Sequence, residues 1–138
     1  MKVIELNSEI INYLIDTYAW IEYFLGSSEG IKVKEIIEKG NVNTSIISIA
    51  ELSDKYYREN LSEVFEDRYS FIINSAKILP ISLDIAKNIG MRKIELRKKS
   101  SKAGIADAII FETSLQHNLI IVTGNPHFKE LDNVLFLT

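Results

Sequence analysis

The sequence predicts an α/β domain in which a central, mainly parallel sheet is covered by helices on both faces. Three observations predict it. Short apolar runs alternate with longer segments of helical period along the 138-residue chain, which is the pattern of successive βα units. The run LIIVT at 119–123 is apolar at four successive positions, as a strand buried on both faces must be. The apolar run IINYLID closes on Asp16, and ligands of such sheets bind outside the C-terminal ends of the strands.

The elements follow in order. A short buried strand is expected over 12–16. A helix over 18–25 places Trp20, Ile21, Phe24 and Leu25 at helical spacing; Thr17 is positioned as its cap, and Gly26-Ser27-Ser28 breaks it. A second helix over 29–39 carries the apolar Ile31, Val33, Ile36 and Ile37 and stops at Gly40. A strand over 42–44 leads to a helix that starts at Ser45 or Ser48 and runs to 58. The next helix, 61–76, carries Val64, Phe65, Phe71, Ile72 and Ile73. An extended stretch over 78–81 surrounds Pro80. Ser82 caps a long helix over 83–99, with Asp84 suited to its first turn. The segment 103–117 is apolar on most faces, so it is expected to be a central, buried helix. The strand 119–123, a short helix over 126–131 and a last strand over 134–137 complete the pattern. Residues 1–138 read as one domain, with 1–11 as an N-terminal extension.

Composition narrows the function classes. With 46% hydrophobic and 25% charged residues, the chain reads as an ordinary globular domain. No apolar run reaches the roughly 18 residues of a membrane span. Acids stand where a secretory leader would have its apolar segment, and there is no cysteine; both agree with a cytoplasmic protein. The missing cysteines also exclude disulfides, thiolate nucleophiles and cysteine-based zinc sites. Neither GxGxxG, a phosphate-binding glycine loop, nor GxSxG is present. Two prolines and six glycines leave no room for long linkers.

Three acids stand out: Asp16, Glu51 in SIISIAELSDKYY, and Asp107 in AGIADAIIFETSL. Each lies in or beside an apolar segment, where an unpaired carboxylate costs several kcal/mol or is protonated. No Lys or Arg lies close in sequence to Asp16 or Asp107. A shared divalent cation is the simplest common partner, and hard cations such as Mg²⁺ take oxygen ligands. The bland reading keeps each acid as a helix cap or the partner of a distant cation. Asp16 ends the first strand, Glu51 follows the second, Asn125 follows LIIVT, and Asp107 begins the helix leading into it, so all four can meet at one sheet edge. A carboxylate-held Mg²⁺ or Mn²⁺ there suits phosphodiester hydrolysis. Asp16 and Asp107 are the first candidates for ligands, with Glu51 acting directly, through water or as a base.

The net charge of −3 gives no general attraction to nucleic acid. The stretch MRKIELRKKSSK, however, gathers Arg92, Lys93, Arg97, Lys98, Lys99 and Lys102 against the single acid Glu95. It is either a solvated helix face or a phosphate-contact surface leading to Asp107. His117 and His127 sit near element ends and read as structural. Tyr56 and Tyr57 suit base stacking or the core, and Trp20, Tyr23 and Phe24 suit the core or an interface.

In order and surroundings, YLIDTYAWIEYF around Asp16, SIISIAELSDKYY around Glu51, GIADAIIFETSL around Asp107 and TGNPHF after the LIIVT strand resemble the PIN-domain family, and within it the VapC-type toxins of toxin–antitoxin pairs. The resemblance covers the chain from about Tyr13 onward. It implies a three-layer α/β/α sandwich and a metal-dependent endoribonuclease using Mg²⁺ or Mn²⁺. It also implies Asp16, Glu51 and Asp107 as metal ligands, Thr123 as a supporting hydroxyl residue and Thr17 as the small residue after the first acid. Many members carry Asp where this chain has Asn125, a departure that removes one negative charge from the site. RNA as substrate, an antitoxin as partner and a homodimer built on the early helices are implied by the resemblance alone. Two alternatives stand beside it: an RNA-processing PIN nuclease without an antitoxin, and a non-hydrolytic metal-binding or receiver-like module. The receiver-like reading lacks a well-placed lysine, because Lys129 falls badly for it.

Overall fold

The computed structural model describes residues 11–138, so the N-terminal extension expected over 1–11 falls almost wholly outside the described residues. Among the described residues five strands form one sheet: β1 (Tyr13–Ile15), β2 (Val42–Ser45), β3 (Lys77–Leu79), β4 (Ile120–Thr123) and β5 (Val134–Phe136). Their spatial order is β3-β2-β1-β4-β5 and every pairing is parallel. Six helices connect them: α1 (Thr17–Leu25), α2 (Ser28–Glu38), α3 (Ile46–Arg58), α4 (Ser62–Ser75), α5 (Leu83–Arg97) and α6 (Ile105–Gln116).

Alternation along the central strands sorts the helices into two layers. Ile15 and Val122 face a core made by α1 to α4, with Trp20, Val33, Ile36, Leu52, Phe65 and Ile72. Leu14 and Ile121, one residue earlier on each strand, face Leu96 of α5 and Ile110 and Phe111 of α6. Successive side chains of a strand point to opposite faces, so β1 and β4 are covered on both, and the architecture is a three-layer sandwich. Trp20 is fully buried, and its indole N–H donates to Thr44 Oγ1 at 3.1 Å. Tyr56 packs on Phe65 in the same core, whereas Tyr57 is exposed. The expected central helix holds: Ala108 to Ser114 of α6 form an unbroken buried run.

Several boundaries differ from expectation for local reasons. Asp16, not Thr17, caps α1, because the chain leaves β1 extended at Asp16 and its carboxylate accepts from Ala19 N. Of the two starts expected for α3, Ser45 is the cap, as the sequence allowed. The helix expected over 126–131 is one 3-10 turn, Pro126–Phe128, capped by Asn125. Gly30 is required where α2 meets α1, since a Cβ there would lie 2.0 Å from Glu22 O.

Candidate active site

The strand order reverses direction of winding between β1 and β4, and such a switch point opens a crevice beyond the strand ends. Asp16 and Thr123 stand on its two sides. The Asp16 backbone N–H donates to Val122 O at 3.3 Å, and the Thr123 hydroxyl donates to Asp16 Oδ2 at 2.5 Å. The other oxygen, Oδ1, accepts from Ala19 N at 2.9 Å. Both Asp16 and Thr123 are buried. Thr123 Oγ1 also accepts from Asn125 N at 2.9 Å, so one hydroxyl fixes the acid and the loop after β4 together.

Glu51 projects from the second turn of α3, half-buried, and its Oε1 accepts from Thr17 Oγ1 at 2.6 Å. Asp107 lies in the first turn of α6 and reaches back to cap it, its Oδ2 accepting from Gly104 N at 3.0 Å. Asn125 directs its amide nitrogen toward Asp107 Oδ1 at 3.4 Å, while its amide oxygen accepts from His127 N at 3.0 Å. Asn125 therefore faces Asp107 as a donor.

The electrostatics are those of crowded carboxylates. Burial pushes the Asp16 carboxyl up to about 7; the hydrogen bonds from Thr123 and Ala19 oppose this, and the charges of Glu51 and Asp107 add to it. Glu51 is also raised, first by burial and then by Asp107, against the hydrogen bond from Thr17. Neither Asp16 nor Glu51 takes part in any of the ion pairs among the described residues. Three acids from three elements thus sense one another with no Lys or Arg between them.

This donor set of hard oxygens, short of positive charge, fits a hard cation. Among the described residues no three acidic or histidine side chains close tightly enough to grip an ion by themselves. An ion held there would keep part of its water shell, as Mg²⁺ does.

Two more groups stand at this edge: His127, which reads as structural in the sequence, and Glu29, which does not stand out there. His127 Nδ1 lies 2.8 Å from Asp107 Oδ2. Glu29 of α2 takes the Tyr18 hydroxyl at 3.1 and 3.2 Å on its two oxygens. The pair closes over Gly124, where a Cβ would meet the Tyr18 ring at 2.2 Å and Glu29 Oε2 at 2.8 Å. The motif TGNPHF was the only signal for His127, and Glu29 left none.

The basic stretch divides. Arg92 is mostly covered; it pairs with Glu112 and Glu95 and lies over the Phe111 ring. Arg97 Nε donates to Ala103 O at 2.7 Å, bracing the turn before Gly104. Lys99 reaches Glu130 O at 3.3 Å. Lys98 and Lys102 are exposed and make no ion pair among the described residues. His117 ends α6 and is exposed beside Asn41 and Asn43, at the opposite end of the strands.

A doubly wound parallel sheet with carboxylates converging at its switch point defines a class: an α/β domain with an acidic crevice at the strand ends. The chain belongs to the PIN domain family, whose model matches residues 13–134. No curated protein sequence matches the chain. Among solved structures it is similar to a toxin–antitoxin complex from Klebsiella pneumoniae, with 27% identity and a TM-score of 0.66 over 90% of this chain and 96% of that one. VapBC2 from Rickettsia felis, bound to a DNA fragment from its promoter, gives 21% identity and a TM-score of 0.73 over 91% and 97%. DNA-bound VapBC from Salmonella typhimurium gives 19% and 0.72 over 91% and 96%. The last two likenesses bear on the fold.

Proposed function

We propose that this chain is a divalent-metal-dependent endoribonuclease and the toxin of a toxin–antitoxin pair. One observation carries the reading. In a PIN-domain fold, the acid at the switch point is buried, lacks a Lys or Arg partner and lies in the field of Glu51 and Asp107. Asp16 and Asp107 would hold Mg²⁺ or Mn²⁺, and Glu51 would assist directly, through water or as the base that takes a proton from the attacking water. When bound, such an ion neutralises phosphate charge and makes water a better nucleophile.

The remaining residues prepare this arrangement. The Thr123 hydroxyl holds Asp16 in one orientation, and Thr17 does the same for Glu51. Asn125 donates toward Asp107 and adds no charge. Lys98 and Lys102, with Arg97 and Lys99 nearby, would meet phosphates of single-stranded RNA, whereas Arg92 would contribute chiefly through the Glu112 pair. The similarity to a toxin–antitoxin complex at 27% identity supports a cognate protein inhibitor. An Arg of that inhibitor would pair with the acids, since guanidinium and carboxylate match in shape and charge. A homodimer and a cytoplasmic setting belong to the same reading; no described helix is long and apolar enough to cross a membrane.

The deciding experiment incubates a mixed RNA pool with the protein in Mg²⁺, in EDTA, and with Asp16→Ala in Mg²⁺. Cleavage is expected only in the first. Full activity in EDTA or in the variant ends the reading. Failure of every neighbouring gene product to bind, with harmless overexpression, would turn it toward RNA processing without an inhibitor.

A further inference from the structure

The shortest contact made to Asp107 comes from a residue outside the acidic set. His127 Nδ1 lies 2.8 Å from Asp107 Oδ2, and that oxygen also accepts from Gly104 N at 3.0 Å. In the tautomer that carries its proton on Nδ1, the imidazole donates to this oxygen. Oδ2 therefore carries two donors from two separate elements. Oδ1 has only the Asn125 amide, at 3.4 Å, which is beyond the usual N–H···O range.

The loop after β4 is built to hold the ring there. Phe128 is fully buried and anchors the 3-10 turn. Asn125 caps that turn by accepting from His127 N at 3.0 Å. The Asn125 N–H is in turn held by Thr123, the residue that holds Asp16. One short segment thus reaches both acids, Asp16 through Thr123 and Asp107 through His127.

We propose that His127 is a positioning residue of the acidic site: by donating to Oδ2 it locks the Asp107 carboxylate in one orientation and leaves Oδ1 as the oxygen open to a divalent cation. This inference rests on the reading of Asp107 as an ion ligand. Ligating carboxylates are themselves held by hydrogen bonds, and removal of such a partner typically costs about 10–100-fold in metal affinity or activity.

The test is Mn²⁺ titration by calorimetry on the full chain, comparing wild type with His127→Ala, His127→Gln, His127→Asn and Asp107→Asn. The Asn amide nitrogen is as many bonds from Cβ as Nδ1, whereas the Gln amide nitrogen corresponds to Nε2. His127→Ala and His127→Gln are expected to raise the Mn²⁺ Kd about 10–100-fold, and His127→Asn to recover most of the loss. RNA cleavage by His127→Ala should fall at limiting Mn²⁺ and return at saturating Mn²⁺. An unchanged Kd in His127→Ala, alongside lost binding in Asp107→Asn, overturns the role of His127 alone. Equal losses in the Asn and Gln variants also overturn it, because the donor position would then be irrelevant. Undiminished binding by Asp107→Asn removes the ion-ligand reading itself, and this proposal with it.

Discussion

Two buried acids in this molecule are answered in opposite ways. Asp16 and Glu112 are each only 2% exposed. Glu112, in the middle of α6, receives Arg92, Asn88 and Gln116. Burial alone would push its carboxyl up; the hydrogen bonds from Gln116, Arg92 and Asn88 outweigh it, and the group ends below the usual range. Asp16 receives only neutral donors, and the charges it feels, Glu51 and Asp107, share its sign. Burial therefore does not distinguish an acid proposed to work from a structural one. What distinguishes them is whether the protein supplies the opposite charge.

The largest effect expected from this contrast is a reversal of phenotype. Asp16→Ala and Asp107→Ala should each lower RNA cleavage about 10³-fold, since a carboxylate-held ion contributes several kcal/mol to such a reaction. Their urea midpoints should stay level or rise without metal, as relief of active-site repulsion allows. Glu112→Ala should do the opposite. It leaves the mostly covered Arg92 with Glu95 as its only acid, at a cost of about 3 kcal/mol in urea melts, while the folded fraction still cleaves. A cleavage loss in folded Glu112→Ala as deep as that of Asp16→Ala would erase the distinction.

A smaller effect lies in the pH dependence of stability, where the two acids act with opposite sign. The folded pKa of Asp16 is raised from 3.8 to about 7. Its contribution is complete below the unfolded value and is lost as pH rises through about 7, by at most about 1.4 kcal/mol per unit of pKa difference. Glu112 is lowered, so its contribution is present above its unfolded value and is lost as pH falls through the folded one. Urea stability of the metal-free protein should therefore decline from about pH 4 to 7. The decline should flatten in Asp16→Asn, and in wild type with saturating Mn²⁺. A slope identical in Asp16→Asn would place its origin elsewhere.

The smallest effect probes the intermediate case, Asn125, which faces Asp107 with a donor and no charge. Asn125→Asp adds a negative charge beside an acid that already lacks Lys and Arg. Mn²⁺ should bind more tightly and raise the melting temperature further than in wild type. The metal-free variant should melt lower and bind RNA less well. Unchanged metal-induced stabilisation would put position 125 outside the ion's reach.

Much of this was legible in the chain and some was not, for physical reasons. The strands could be read because β1 and β4 are covered on both faces, which leaves nearly unbroken apolar runs. Asp16 and Asp107 could be read because acids against such runs are conspicuous. Glu112 stands in the same segment as Asp107, yet its partner Arg92 is 20 positions away, and a pairing across two helices leaves no local mark. The contact of His127 with Asp107 was hidden in the same way, over 20 positions. Thr17 was chosen over Asp16 as the cap of α1 because both residue types cap well; only the backbone path out of β1 separates them.

The parallel register also fixes when the crevice can assemble. Asp16 and the hydroxyl that holds it are 107 positions apart, and β1 has no neighbour on that side until β4 has been made. At roughly 5–20 residues per second of synthesis, several seconds separate the two on the ribosome. Pairings so distant in sequence also slow folding itself. The crevice thus forms only after β4, and a nascent or truncated polypeptide that stops before Ile120 has all three acids but not the strand that closes the crevice. Topology thus delays assembly of the acidic crevice until β4 has been synthesised.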